Sequence, residues 1–292
     1  MTRESSPRRL TETSARRRGG STRWRAPAPP PSTVVPFPSD KRSGSLSLFW
    51  ELHSDLPREG AGSDRTTREA AEKLPRLSEG ARVLDVGCGP GAQTLALARA
   101  FPQTLIVAVD RHAPFLKDLT RRTRSSEAFS RIASLQGDMR ALPFSDNRFD
   151  LIWSEGAIYI VGFDAGLRSW RPLLKTHGCV AVTEISWLTE APPDAPAQFW
   201  SRNYPAMATI ASNCAMAQAA GYEILHHFTT PERDWWTDYY EPLEMKIRVL
   251  RLKYADSPDA LAFLDEEQRE IDLFRQHSSC YGYVFYLLKN EG

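Results

Sequence analysis

The chain has 292 residues, of which 41% are hydrophobic and 25% are charged, and its formal net charge is +1. This length is sufficient for one sizeable α/β domain with its own core. No run of 18 or more apolar residues occurs, so the sequence predicts no membrane-spanning helix. The four cysteines are scattered and lack metal-ligand spacing. We therefore expect a reduced, cytoplasmic protein without a metal site.

The charge is unevenly distributed along the chain. Residues 1–44 contain ten Lys or Arg, three Asp or Glu and seven of the 21 prolines, which leaves a net charge of −6 for the rest. With almost no periodic apolar pattern, this segment cannot bury enough surface to offset its ordering entropy. We expect a disordered basic tail over 1–44, whose role as a targeting signal, a tether or neither stays open. The acidic remainder argues against nucleic acid as a partner.

The N-terminal part of the folded region, over residues 45–78, is predicted to form two cap helices. Ser45–Leu56 has the apolar spacing of a short amphipathic helix. A glycine-containing loop, Gly60–Gly62, follows it, and Ser63 or Asp64 is suited to cap the start of the second helix.

Residues Val83–Gly91 read Val-Leu-Asp-Val-Gly-Cys-Gly-Pro-Gly, an apolar run that ends in three glycines within five positions. The apolar run is typical of a strand buried on both faces of a parallel sheet. The glycines allow a ligand to approach the backbone closely, and Ala92–Phe101 contains good helix formers. This order of strand, glycine turn and helix predicts the nucleotide-binding corner of an open α/β sheet.

A second buried-type strand, Leu105–Asp110, ends in a carboxylate close to the offset from the glycine turn at which an acidic residue accepts ribose hydroxyls. The glycine spacing is Gly-x-Gly-x-Gly, which differs from the Gly-x-Gly-x-x-Gly of nicotinamide binders. Asp85 would repel a pyrophosphate near this turn but would suit a ligand with an ammonium group.

Two further strands place polar residues at their ends. The strand Ile132–Leu135 leads into Gln136–Met139, which offers an acceptor and an apolar side chain for reading an adenine. The strand Phe149–Trp153 leads into Ser154–Ala157. Seven strands in all are predicted, and the later elements are a helix over 165–175, a strand over 179–185, a lid-like loop over 188–205, a helix over 206–220, a strand over 223–228, a helical insertion over about 231–278 and a last strand over 281–288.

The motif Leu84–Gly91 resembles the first motif of the class I S-adenosylmethionine-dependent methyltransferases. A narrower resemblance, to bacterial small-molecule methyltransferases of the ubiquinone/menaquinone type, rests on Gly60–Ser63, Trp153–Tyr159, Trp236–Tyr240 and Tyr281–Tyr283, and covers roughly residues 45–289. It implies a doubly wound, Rossmann-like α/β fold whose last strand is antiparallel, with helices at the N-terminus and before that strand. It also implies S-adenosyl-L-methionine as cofactor.

The resemblance assigns roles to individual residues. Glu155, after the fourth strand, is either a base facing the transferred methyl group or a loop carboxylate whose backbone touches the cofactor. The aromatic residues either line an acceptor pocket or only seal the helices onto the core. The implied cofactor contacts are Ser63, Asp85, Gly87, Gly89, Asp110, Arg111, Asp138, Met139 and Glu155, the implied catalytic residues Glu155 and Tyr159, and the implied substrate pocket Tyr159, Trp236, Tyr240 and Tyr283.

The function that the resemblance implies is in-line methyl transfer to a small-molecule acceptor. Residues Ser154–Ala157 lack the Asn/Asp-Pro-Pro-aromatic signature associated with methylation of exocyclic amines in nucleic acids. Two alternatives remain: a catalytically inert, cofactor-binding partner subunit and, less favoured, a nicotinamide-dependent oxidoreductase. The sequence leaves the methyl acceptor unidentified and leaves a homodimer open.

Overall fold

The computed structural model describes residues 43–124 and 126–292, so the predicted disordered tail lies outside the described residues except at its last two positions. There α1 begins at Ser43, two residues before the predicted start. The strands of the described part are β1 (Arg82–Val86), β2 (Leu105–Asp110), β3 (Ile132–Gln136), β4 (Phe149–Ser154), β5 (Leu174–Trp187), β6 (Ala208–Thr209), β7 (Tyr222–Thr229) and β8 (Tyr281–Asn290).

These strands form one sheet in the order β3-β2-β1-β4-β5-β8-β7, with the short β6 paired to β5. The strands β1 to β5 are parallel, whereas β8 is antiparallel to both β5 and β7. The predicted doubly wound sheet with an antiparallel last strand is therefore confirmed. The two-residue β6 is an addition that the sequence pattern did not predict.

Helices cover the sheet and its edge. Among the described residues they are α1 (Ser43–Leu52), α2 (Asp64–Glu72), α3 (Ala92–Ala100), α4 (Ala113–Thr123), α5 (Phe163–Trp170), α6 (Asp194–Asn203), α7 (Ile210–Ala219), α8 (Arg233–Trp235), α9 (Glu241–Lys253) and α10 (Pro258–His277). A π-helical turn, Trp236–Tyr240, joins α8 to α9. No helix in the described part of the chain has the length and apolar character needed to cross a membrane.

Three predicted segments differ from the structure. The predicted loop over 188–205 contains α6, because prolines at a helix N-terminus are tolerated and this helix buries Phe199 and Trp200. The predicted helix over 165–175 is shorter, since β5 already begins at Leu174. The predicted helix over 206–220 is reduced to α7 because Ala208 and Thr209 pair with β5.

The strand order determines where the added helices lie. Because β8 is antiparallel to both of its neighbours, β7 runs parallel to β5, and both end at the same edge of the sheet. The segment after β5, which contains α6, and the insertion between β7 and β8 therefore both begin at the carboxyl edge. In open α/β sheets this edge is where ligands bind.

The glycine turn after β1 requires glycine at its last position. Gly91 has a φ of +90°, and a Cβ there would lie 2.2 Å from Cδ1 of Leu119 on α4. Side chains larger than hydrogen are disfavoured by both the left-handed backbone and this contact. The turn thus allows α3 and α4 to pack closely behind the carboxyl end of β1.

We expect Gly91→Ala to destabilise the protein more than Gly80→Ala. Both positions have positive φ, but a Cβ at Gly80 meets nothing within 4 Å. Backbone strain costs about 1 kcal/mol at each site, and overpacking against Leu119 adds about 1–3 kcal/mol at Gly91 alone. Urea unfolding of both variants measures the difference. Equal losses would mean that the Leu119 contact has no energetic consequence.

Candidate functional site

A cavity of about 300 Å³ opens at the carboxyl edge of the sheet. This volume is at the lower end of the range for small-molecule sites. One end, the glycine-loop end, is lined by residues that follow β1, β2, β3 and β4. The other, the acceptor end, is lined by α6, the helical insertion and β8. The lining of the acceptor end includes Tyr159, Phe199, Trp200, Tyr204, Trp235, Tyr239, Glu267, Glu270 and Tyr283.

Asp110 holds the glycine loop in place at the end of β2. Its Oδ2 accepts a hydrogen bond from the backbone N–H of Gly89 at 2.9 Å, and its Oδ1 accepts one from His112 at 2.8 Å. Burial raises the pKa of Asp110, while these backbone donors act in the opposite direction. Each carboxylate oxygen has a second lone pair, so Asp110 can still accept hydrogen bonds from a ligand.

Several predicted cofactor contacts lie along this end of the cavity. Gly87, Gly89, Asp110, Arg111, Asp138 and Met139 all line it. Met139 is adjacent to the glycine loop, since its Cε lies 3.3 Å from the position of a Cβ on Gly87. The Asp138 carboxylate accepts from the backbone N–H of Arg140 at 2.9 Å, which fixes its orientation.

Two predicted cofactor contacts do not line the cavity. Asp85 is fully buried behind the loop, where its Oδ2 accepts from Thr94 Oγ1 at 2.6 Å and so ties β1 to α3. Burial raises the pKa of Asp85 to about 7. Ser63 caps α2 by accepting from the backbone N–H of Thr66 at 3.1 Å. Burial in one case and helix capping in the other keep these side chains from the cavity.

Glu155 lines the cavity, but its carboxylate is engaged by the protein. Its Oε1 accepts from Thr67 Oγ1 at 2.7 Å and from Trp153 Nε1 at 2.8 Å. Its Oε2 lies 3.3 Å from Arg58 Nη1, and both side chains of this ion pair are about 95% buried. Burial raises the pKa of Glu155, and Arg58, Thr67 and Trp153 oppose that effect. The carboxylate thereby links β4 to the N-terminal loop and to α2.

Two of the four aromatic residues predicted for the substrate pocket line the cavity, and two do not. Tyr159 and Tyr283 line the cavity, whereas Trp236 and Tyr240 do not. Trp236 instead packs against the guanidinium of Arg275 at 4.8 Å, and Tyr240 is fully buried. From the same helical segment, Trp235 and Tyr239 line the cavity instead, each one position before a predicted residue.

Acidic residues that the sequence reasoning missed lie at the acceptor end. Glu267 and Glu270 project from α10, and Tyr240 Oη donates to Glu270 Oε1 at 3.0 Å. Burial raises the pKa of Glu270 to about 7. The spacing of Glu267 and Glu270 on one helix face was visible in the sequence, but nothing local indicated that this face meets the cavity.

His53 joins the N-terminal helix region to this acidic group. Its Nδ1 lies 3.3 Å from Glu59 Oε2, and its Nε2 lies 3.8 Å from Glu267 Oε2. Burial alone would lower the pKa of His53, but the two carboxylates outweigh it and raise the pKa to about 9. His53 is therefore a cation at neutral pH and bridges the loop after α1 to α10. No local sequence pattern indicates this role for His53.

The strand order, the glycine turn and a cavity at the carboxyl edge define a Rossmann-like methyltransferase fold. Residues 83–178 match the family model described as a methyltransferase domain. Malonyl-[acyl-carrier protein] O-methyltransferase of Xylella fastidiosa (strain M23) is 26% identical over 62% of this chain and 58% of its own length. The C-methyltransferase UbiE of Geotalea uraniireducens (strain Rf4), of ubiquinone/menaquinone biosynthesis, is 32% identical over 43% of this chain and 54% of its own. The chain thus spans little more than half the length of these curated relatives.

Solved structures agree on the fold. A SAM-dependent methyltransferase from Geobacter sulfurreducens, in complex with S-adenosyl-L-homocysteine, has a TM-score of 0.71 at 18% identity, over 83% of this chain and 97% of its own. The [4+2]-cyclase SpnF has a TM-score of 0.67 at 21% identity, over 88% and 99%. These similarities agree with the resemblance to class I S-adenosylmethionine-dependent methyltransferases that the sequence motifs indicate. The second structure shows that this fold is also found in a protein named for another reaction.

We expect the contribution of His53 to stability to depend on pH. Because its pKa rises from 6.5 to about 9 on folding, the contribution is complete below pH 6.5 and is lost as the pH rises through 9. The stability difference between the wild type and His53→Gln should therefore shrink by about 3 kcal/mol from about pH 6 to about pH 9.5. Urea unfolding at the two pH values measures it.

The control variant is His226→Gln, which removes an exposed histidine on β7. A stability difference for His53→Gln that stays constant with pH would show that the ion pairs of His53 with Glu59 and Glu267 do not stabilise the fold.

Proposed function

We propose that the chain binds S-adenosylmethionine at the glycine-loop end of the cavity and methylates a small molecule held at the acceptor end. The observation that carries this proposal is that the glycine-loop residues and the aromatic and acidic residues of the acceptor end line one and the same cavity. Glu155, Gly156, Ala157 and Tyr159 also line it. Ala157 lies against Gly87 of the glycine loop, and Gly156 lies close to Tyr283. A donor on one side and an acceptor on the other would face each other across these residues.

The residues of the glycine-loop end fit the cofactor. A Cβ at Gly87 would lie 2.4 Å from Cβ of Ala157, so glycine keeps the loop tightly against the segment after β4. Asp110 retains lone pairs for the hydroxyls of a ribose, and Asp138 and Met139 offer a polar and an apolar contact for an adenine. S-adenosylmethionine, when bound, supplies a methyl group attached to a positively charged sulfur.

The protein's contribution to such a reaction is to position the reactants and to exclude water. The ion pair of Arg58 with Glu155 holds the N-terminal loop against β4. Thr67 adds a second connection from α2 to the same carboxylate. Because the oxygens of Glu155 already accept hydrogen bonds from three donors, we assign Glu155 to fixing this wall of the cavity rather than to proton transfer.

The relatives support a small-molecule or carrier-bound acceptor without selecting one. The printed name of one relative specifies O-methylation of a malonyl group on acyl-carrier protein, and that of the other specifies C-methylation in quinone biosynthesis. The alternative nicotinamide-dependent oxidoreductase is disfavoured because the loop has Gly-x-Gly-x-Gly spacing.

Direct titration tests the proposed donor. We expect isothermal titration calorimetry to detect binding of S-adenosylmethionine and S-adenosylhomocysteine, and no binding of NADH at the same concentrations. Incubation of a metabolite extract with methyl-labelled S-adenosylmethionine should then yield a labelled product. Absence of binding of both sulfur nucleosides would refute the proposal. Binding without any labelled product across acceptor panels would favour the inert partner subunit.

Asp110→Ala should weaken binding of S-adenosylhomocysteine by about 5- to 150-fold. This range corresponds to about 1–3 kcal/mol for the loss of buried hydrogen-bond acceptors. Asp110→Asn keeps one oxygen acceptor, so its affinity for S-adenosylhomocysteine should fall between those of the wild type and Asp110→Ala. Asp164→Ala, which breaks an exposed ion pair with Arg168 on α5, serves as the control. Calorimetry measures the affinities, and wild-type affinity in Asp110→Ala would exclude the ribose role.

A further inference from the structure

Two carboxylates near the acceptor end lack a counter-cation. Within the described residues, neither Glu270 on α10 nor Glu184 on β5 forms an ion pair, and Oε2 of Glu184 accepts no hydrogen bond of ordinary geometry. Glu184 is only 2% exposed, and burial raises its pKa to about 8. Uncompensated buried carboxylates are energetically costly. Tyr159 lies close enough to both for their charge to raise its pKa.

The cationic side chains on the N-terminal side of the cavity are already paired with other carboxylates. His53 is shared between Glu59 and Glu267, which together carry more negative charge than the imidazolium can balance. Arg58 is paired with Asp64 and Glu155 at the other side of the N-terminal loop. The acceptor end of the cavity is therefore negatively charged when these carboxylates are ionised.

A second observation concerns buried polar side chains in the same lining. Tyr204 is 4% exposed and lines the cavity, and its hydroxyl forms no hydrogen bond of ordinary geometry within the described residues, although it lies close enough to the carboxylate of Glu184 for each to shift the pKa of the other. Nε1 of Trp200 is in the same situation beside the hydroxyl of Tyr281. Buried polar groups in native proteins are normally well satisfied, so poorly satisfied ones that line a cavity indicate a ligand.

Aromatic rings enclose the same space. Trp235 and Tyr283 pack with their ring centroids 4.7 Å apart, and Tyr159 packs edge-on to Tyr204 at 6.0 Å. The faces of such rings attract cations as well as flat apolar groups. Carboxylates and aromatic rings together provide what an organic ammonium ion requires of a binding site.

We propose that the methyl acceptor is an organic amine, bound as its ammonium ion between the aromatic rings of the acceptor end and the carboxylate of Glu270. This inference rests on the proposed methyl transfer and specifies its substrate class. Tyr240, which donates to Oε1 of Glu270, is a positioning residue that orients the carboxylate.

The proposed methyl transfer to the amine is balanced in protons and electrons by the amine, S-adenosylmethionine and Glu270. The ammonium ion gives one proton to the Glu270 carboxylate, which the raised pKa of about 7 makes a competent acceptor. The freed nitrogen lone pair forms a bond to the methyl carbon, and the carbon–sulfur bond breaks with its electron pair remaining on sulfur. The products are a methylated ammonium ion, a neutral thioether and protonated Glu270, which releases its proton to solvent.

Matched pairs of probes test the inference directly. Butylamine, 2-phenylethylamine and tryptamine are each compared with the alcohol of the same skeleton, and binding is followed by calorimetry with saturating S-adenosylhomocysteine and by thermal shift without it. We expect at least one amine to bind at least tenfold more tightly than its alcohol. Glu270→Gln should reduce that preference at least tenfold while leaving S-adenosylhomocysteine affinity within threefold of the wild type.

The control is Asp265→Asn, which makes the same charge change on α10 at an exposed residue paired with Arg251. It should keep the amine preference. If no amine is preferred over its alcohol, or if Glu270→Gln keeps the preference, the inference is wrong. The thermal-shift measurement without cofactor keeps this result separate from a failure to bind S-adenosylhomocysteine, which would instead count against the proposed function. If Glu270→Gln does not fold, Tyr240→Phe provides the second variant and should weaken the preference.

Discussion

The buried carboxylate of Glu155 determines how the N-terminal segment meets the sheet. An ionised carboxylate is costly to bury unless its oxygens are paired, and here Arg58, Thr67 and Trp153 supply the donors. Two of those donors come from the loop after α1 and from α2, so these segments must pack down before the charge is satisfied. The same contacts form one wall of the cavity. The packing of the N-terminal segment and the closure of the cavity therefore both depend on the pairing of the Glu155 carboxylate.

The position of β8 in the sheet explains how the other side of the cavity is covered. Insertion of this strand between β5 and β7 brings the end of β7 to the edge where β1, β4 and β5 also end. The helices that follow β5 and β7 consequently cover the same edge from the side opposite the glycine loop. The π-helical turn lies within this insertion, and Trp235 and Tyr239 at this turn line the cavity, whereas Trp236 and Tyr240 do not.

Much of the glycine-loop end could be predicted from sequence because its determinants are local. The turn residues Gly87 and Gly89 and the strand-end residues Asp110, Asp138 and Met139 all line the cavity. Asp85 and Ser63 were also predicted as cofactor contacts but do not line the cavity, since Asp85 is buried behind the loop and Ser63 caps α2. Such outcomes depend on which backbone donors and which neighbouring helix compete for each side chain.

The sequence by itself determined the order of seven of the eight strands, the strand–glycine–helix corner and the resemblance to a methyltransferase family, because these follow from apolar periodicity and from motifs within a few residues. Only the tertiary structure decided the acceptor end. Glu270 and Tyr239 are about thirty positions apart, and Tyr204 lies a further 35 positions before them, so no local spacing joins them. Their meeting depends on the strand order and on helix packing, which bring side chains together according to burial and charge across the whole fold.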